Sequence, residues 1–148
     1  MKMRTFFLTV AAVVSACIMS CSCSAKNGVV KVQDLPQPAQ TFLTEHFGAI
    51  EVALAILDDN EYEVRLENGW EIEFDRKGRW EKVDCKMDAV PESVIALLPE
   101  SIPAYINGNF EKAHVTEITK DRSDYDIELS NGLDLEFSSK GQFRRIDD

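Results

Sequence analysis

The sequence predicts an α+β protein made of two tandem modules, each a helix followed by an antiparallel β-meander. Both meanders join in one sheet, with the helices on one face. Three observations predict this. The stretch YEVRLENGWEIEFDRKGRWEKVD, Tyr62 to Asp84, returns as YDIELSNGLDLEFSSKGQFRRID, Tyr125 to Asp147. Within each copy apolar residues alternate with acidic ones at period two, the pattern of strands buried on one side. Upstream of each copy, apolar residues recur at helical spacing behind a Leu-Pro pair. One constant offset places Leu35 on Leu98, Pro36 on Pro99, Phe42 on Tyr105, Phe47 on Phe110, Val52 on Val115, Asp58 on Asp121 and Gly78 on Gly141. An ungapped register of core and turn positions is the signature of an internal duplication.

The chain opens on a leader. Met1 to Arg4 carries two cations, Phe6 to Val14 is apolar except for Thr9, and small residues with three cysteines follow to Ala25. Residues 1–25 therefore read as a bacterial-style signal peptide, too short to span a bilayer as a mature helix. Val14-Ser15-Ala16-Cys17 and Ile18-Met19-Ser20-Cys21 both resemble a lipobox, while Cys23-Ser24-Ala25 suits an ordinary signal peptidase. The favoured reading is lipidation at Cys21, with Cys17 the alternative. The protein is then exported, in the periplasm or as an outer-membrane lipoprotein, and meets the membrane only through that anchor.

Residues 26–34 form a polar tether with room for a brief first strand, and the modules follow at 35–85 and 86–148. Leu35, Ala39, Phe42, Leu43 and Phe47 predict the first helix, with Asp34 as its cap, Pro36 in its first turn and Gly48 as its stop. Ala49 to Asp58 is a strand ending in a polar turn. In the meander Tyr62, Val64 and Leu66 point inward, Asn68-Gly69 predicts a type I′ turn, and Trp70, Ile72 and Phe74 return. Trp80 and Val83 sit at an odd spacing that marks a bulge or a strand end. The second module repeats these devices with Asn131-Gly132 and Lys140-Gly141. Its helical part is interrupted: a helix over Val90 to Leu98 with Val94, Leu97 and Leu98 on one face, a break because Pro99 and Pro103 forbid extending it, then a helix carrying Ile102, Tyr105, Ile106 and Phe110. A half of about 55 residues would bury only about 60% of its unfolded surface, so the halves need a shared sheet of up to eight strands.

Composition narrows the function classes. The formal net charge is −10, from 26 Asp and Glu against 16 Lys and Arg with no basic run, which argues against nucleic acid. Outside the leader Cys85 stands alone, a passive residue beside two solvated lysines, Lys82 and Lys86. His46 and His114 lack a second ligand at metal spacing, and no nucleophile elbow or glycine-rich phosphate loop is present. No catalysis, cofactor or metal is expected. Asp58-Asp59-Asn60-Glu61 and Asp121-Arg122-Ser123-Asp124 are oxygen-rich but lack EF-hand spacing, so calcium stays an alternative.

The doubled Leu-Pro helix, Tyr-x-Val/Ile-x-Leu-x-Asn-Gly turn, Glu-Phe strand end and Lys-Gly-x-aromatic closure resemble the PepSY-like, β-lactamase-inhibitor-like family of exported Bacteroidetes proteins. The resemblance covers Leu35 to Asp148. It implies tandem modules like those of β-lactamase inhibitory protein, and it carries over no catalytic residue.

What remains is the outer sheet face. Alternation places Glu61, Glu63, Glu67, Glu71, Glu73 and Asp75 of the first module there, with Asp124, Asp126, Glu128, Asp134 and Glu136 of the second. The candidate binding face is Glu61, Glu63, Glu71, Glu73, Asp126, Glu128, Asp134 and Glu136. Like charges at cross-strand distance destabilise a sheet unless something offsets them, so Glu71→Gln and Glu136→Gln are expected to be neutral or stabilising. The expected function is a non-catalytic module that docks a protein or peptide, such as an enzyme it restrains. A divalent-cation or small-ligand binder is the alternative.

Overall fold

The computed structural model describes residues 27–147. The leader, with the lipidation candidates Cys17 and Cys21, lies outside the described residues. In chain order the elements are β1 (Gly28–Val29), a 3-10 turn (Val32–Asp34), α1 (Gln37–Phe47), β2 (Val52–Asp58), β3 (Glu61–Leu66), β4 (Glu71–Phe74) and β5 (Trp80–Asp84). Then come α2 (Glu92–Ile95), α3 (Ser101–Asn109), β6 (Val115–Lys120), β7 (Asp124–Leu129), β8 (Asp134–Ser138) and β9 (Phe143–Asp147). The nine strands form one antiparallel sheet in sequence order, and the pairing of β5 with β6 joins the modules. The ninth strand is β1, the brief strand for which the tether had room; it pairs with Leu57 and Ile56 of β2.

One apolar cluster holds the helices to one face of the sheet. Leu35, Ala39, Phe42, Leu43 and Phe47 are all buried, as their spacing predicts, together with Val64, Ile72, Phe74 and Val83. Phe42 meets Phe74 edge-on at 5.7 Å and stacks on Trp80 at 5.8 Å. The second module repeats the arrangement with Tyr105 against Phe137 at 5.6 Å and Phe143 at 4.4 Å. Cys85 belongs to this core, where burial first and the nearby Asp84 and Asp88 charges second push its thiol up to about 12. A thiol held protonated is inert at neutral pH.

The prolines reset the helix starts. Leu35 precedes Pro36 and is extended at ψ 149°, because a residue before proline is driven out of the helical region. Asp34 therefore ends the 3-10 turn instead of capping α1, which begins after Pro36 with no side-chain cap. For the same reason Val90, ahead of Pro91, donates its N–H to Val115 O at 2.9 Å. The expected helix over Val90 to Leu98 shrinks to Glu92–Ile95, and its last bonds tighten to the i−3 carbonyl before Pro99. Leu97, expected on the buried face, is 47% exposed.

The Asn-Gly turns are hairpins of another type. Gly69 N–H donates to Leu66 O at 2.9 Å and Leu66 N–H to Trp70 O at 2.9 Å, and only Gly69, at φ 88°, has positive φ. That is a three-residue loop, a type I turn closed by a left-handed glycine bulge, where a type I′ turn needs two positive φ angles. Gly132, at φ 82°, repeats it, as do Gly78 and Gly141. Positive φ at both central positions occurs at Asp59-Asn60, φ 41° and 75°, in the tight loop from β2 to β3.

The odd spacing after Trp80 is a bulge, with Phe74 opposite Trp80 and Glu73 opposite Lys82. Phe137, Phe143, Glu136 and Arg145 repeat it. A further bulge between Val52 and Leu54 turns Ala55 and Leu57 into the core and leaves Leu54 and Ile56 on the outer face, beside Arg65 and Glu63.

Candidate functional site

Among the described residues nothing covers the face opposite the helices, and all eight residues of the candidate face lie on it. Their strands alternate with buried partners: Glu63 with Val64, Glu71 and Glu73 around Ile72, Asp126 and Glu128 around Ile127, Asp134 and Glu136 around Leu135. Cross-strand pairs set Glu63 beside Glu73, Asp126 beside Glu136, Glu117 beside Glu128, and Glu128 beside Asp134. Two residues expected there do other work. Glu67 sits in the hairpin loop, and Asp75 accepts the backbone N–H groups of Lys77 and Arg79 at 2.8 and 2.9 Å, capping the next turn.

The face is not uniformly acidic. Arg65 bridges Glu63 at 3.2 Å and Glu71 at 2.7 Å, and Lys86 bridges Glu71 at 2.6 Å and Asp84 at 2.7 Å. Lys82 reaches across the module junction to Glu117 at 3.0 Å. Arg144 pairs with Asp124 and Glu136, and Arg145 with Glu136 and Asp147. Lys82 and Lys86, read from sequence as solvated bystanders, are therefore two of the cations that hold the face together. Lys86 gets there through a left-handed backbone, φ 59°, just past the end of β5, which no period-two pattern reveals.

Pairing divides the acids into two sets. The hydrogen bond from Lys86, reinforced by Arg65, holds the Glu71 carboxyl below its ordinary value despite partial burial, and bonds from Arg144 and Arg145 do the same for Glu136. Glu71 and Glu136, expected to be liabilities, each pair with two cations. By contrast, burial raises Glu73, with the Glu63, Glu61 and Glu117 charges adding to it against the pull of Lys82. Burial and the neighbouring Glu136, Asp121 and Asp124 raise Asp126, and burial with Glu117, Asp134 and Asp84 raises Glu128. Glu81, at the bulge, is raised in the same way by burial and by Asp75 and Glu61. Sequence reasoning missed Glu81 because the bulge takes it out of strict alternation.

At the module junction Glu61, Glu73, Glu81, Lys82, Thr119 and Lys120 line much of an open depression of about 480 Å³. Lys120 stands 4.9 Å over the Trp80 ring, in the place of the buried Leu57 of the first module, so a cation is stored on this rim.

The other candidates do not assemble. His46 Nδ1 lies 2.9 Å from Ser93 Oγ, and the ring packs on Phe42 at 4.6 Å. His114 Nε2 lies 3.1 Å from Met87 O on another part of the surface. Asp58 and Asp59 accept from Asn27 Nδ2 at 3.0 and 3.4 Å, and Asp121 Oδ1 accepts the N–H groups of Ser123 and Asp124. No group of three or more His, Cys, Asp or Glu side chains among the described residues is placed to hold a metal ion.

These features define a tandem-module, open-sheet α+β protein with one ionic face. The chain belongs to the PepSY-like family, described as "Putative beta-lactamase-inhibitor-like, PepSY-like", whose model matches residues 22–75 and again 60–145. A Bacteroides thetaiotaomicron protein described as a "putative calcium-regulated periplasmic protein" has the same fold at 39% identity and TM-score 0.77, over 82% of this chain and 97% of that one. Two Bacteroides vulgatus proteins are also similar. A putative periplasmic protein of the DUF2874 family is 36% identical, TM-score 0.77, over 84% of this chain and 99% of its own, and a putative periplasmic protein of unknown function is 31% identical, TM-score 0.77, over 83% and 100%. Among curated proteins none matches.

Proposed function

We propose that this chain is a non-catalytic exported binding module that docks a protein or peptide on its open sheet face, restraining an enzyme as the family's inhibitor-like description suggests. The observation that carries this reading is the crowding of Glu73, Glu81, Asp126 and Glu128. Each is raised by burial and by other acids, and none has an ion pair within 4 Å among the described residues. A face kept only for solubility gains nothing from crowding unpaired carboxylates, of which Glu73 and Glu81 are also partly buried. A cationic partner surface relieves them, and the apolar Leu54, Ile56 and Val29 at one margin give it contact area. The periplasmic relatives suit an exported protein, anchored at Cys21 or free in the periplasm.

The test is capture from envelope extract with wild type and with Glu73→Lys/Glu128→Lys. A partner held by wild type, released by moderate salt and lost from the variant is the expected result. Repeated capture of nothing, together with hydrolysis of a substrate by the pure protein, would move the chain to the enzymes.

A second reading, divalent-cation binding, is favoured by the calcium-regulated description of the Bacteroides thetaiotaomicron relative. It requires millimolar calcium to raise the melting temperature beyond what sodium does at matched ionic strength. Because no group of three or more His, Cys, Asp or Glu among the described residues is placed to hold a metal ion, the expected shift is equal for both salts, which is screening.

A further inference from the structure

The duplication leaves one edge without the neighbour that its equivalent has. In the first module β5 is covered by β6: Val83 lies opposite Ile118 and is fully buried, and Cys85 N–H donates to Thr116 O at 2.9 Å. Backbone groups alternate sides along an antiparallel strand, so Val83 and Cys85 turn theirs toward β6. The residue equivalent to Val83 in β9 is Ile146. It pairs with Leu135 on one side, has no strand on the other among the described residues, and is 41% exposed. Its N–H and C=O face outward from the sheet edge, unpaired among the described residues.

The charges along this edge are arranged unusually. Among the devices by which natural edges deter a second copy are charged side chains, lysine especially, which repel when two like edges meet. Here the sequence reads Arg144-Arg145-Ile146-Asp147-Asp148, which is complementary in charge to its own reversal. Antiparallel pairing of two such strands about Ile146 sets Arg145 of each copy opposite Asp147 of the other. Both side chains are exposed, at 64% and 58%, and meet within one copy at 3.3 Å, a pair that the dimer exchanges for the same pair between copies; Lys82, the equivalent of Arg145 in β5, already bridges to the strand that covers it. Registers that centre on Arg144 or Arg145 put like charges together and are selected against.

We propose that the β9 edge is a self-docking site, at which a second copy of this chain pairs its own β9 antiparallel about Ile146 across a two-fold axis. The sheets become continuous, and the two Ile146 side chains meet on the helix side. The contact is small, so the dimer is weak and loosened by salt. It touches the outer face only at the β9 margin, through Arg145 and Asp147, and does not depend on what the centre of that face binds.

The test is sedimentation velocity of the processed protein over a wide concentration range. Wild type is expected to pass reversibly from monomer to dimer, and Ile146→Pro, which removes the central donor, to stay monomeric. Arg145→Glu and Asp147→Lys each place like charges across the axis twice and are expected to weaken the dimer at least tenfold. Their one-to-one mixture restores both attractive pairs and is expected to dimerise as wild type does; because the mixture contains the same two variants, it separates lost pairing from lost folding. A wild type that stays monomeric up to its solubility limit overturns the proposal. So does a dimer indifferent to all three substitutions, or variants that fail to rescue each other.

Discussion

The two modules carry the same pattern but have different neighbours, and residue for residue that difference outweighs the pattern. Val83 and Ile146 occupy equivalent inward positions, yet one is fully buried and the other 41% exposed, because β5 lies inside the sheet and β9 at its rim. Leu54 and Ile56 of β2 correspond to Glu117 and Thr119 of β6: apolar near the edge strand, polar at the centre of the face. Trp80 and Phe143 both stack on the aromatic residue of their helix, but Phe143 is 38% exposed. Duplication copied the faces of strands, and the position of each copy in the sheet decided what covers them.

The comparison breaks first if the cores are unequal. Phe74 and Phe137 are fully buried at equivalent sites, so Phe74→Ala and Phe137→Ala should each cost about 3–5 kcal/mol by urea denaturation. A cost at one site less than half that at the other would mean that one module supports the other.

The glycine turns sharpen it. Gly69 and Gly132 have open space around a built Cβ, so valine there meets only backbone strain, and more than about 1 kcal/mol is expected at each site. At Gly78 and Gly141 a Cβ would also lie 2.7 Å from Cβ of Pro36 and Pro99 respectively, where the turn tucks under the helix start. Gly78→Val and Gly141→Val should therefore unfold at clearly lower denaturant than the first pair. Equal midpoints for all four would show that the turn-to-helix contact carries no energy.

Next is the rim. Val83→Ala should cost about 2 kcal/mol, and Ile146→Ala, half solvated already, less than about 1 kcal/mol when measured in dilute solution. Similar costs would mean that β9 is covered in solution even at low concentration.

The smallest effects have opposite signs within one strand. Glu71 is held below the ordinary 4.5, so its ion pairs contribute stability above that pH and lose it as pH falls through the folded value. Glu71→Gln should lower stability at neutral pH by up to about 1 kcal/mol and make no difference once the wild-type carboxyl is protonated. Glu73 is raised above 4.5, so its ionised form is a penalty, present above the folded value and gone below 4.5. Glu73→Gln should raise the midpoint at neutral pH, and the gain should vanish on acidification. A gain from Glu71→Gln would restore the view that all these acids repel.

By itself the sequence determined the α+β class, the duplication, the strand faces, the inward residues of α1 and an irregularity after Trp80, which the structure resolves as a bulge rather than a strand end. These are consequences of period, and period is a property of consecutive residues. Tertiary structure decided what period cannot express. Asn-Gly suits either of two hairpin loops, and the choice followed from whether Leu66 paired with Trp70 across three residues. Prolines marked the breaks in the helices, but the route of Val90 onto Val115 shortened α2 to one turn. All eight acids of the candidate face are where alternation put them, yet which are neutralised depends on Arg65, Lys82, Lys86, Arg144 and Arg145. Some of these cations come from a bulge or a left-handed residue beyond a strand end, and one crosses to the other module. Alternation tells which way a side chain points; its partner is set by register, and register is fixed only when the whole sheet closes on its core.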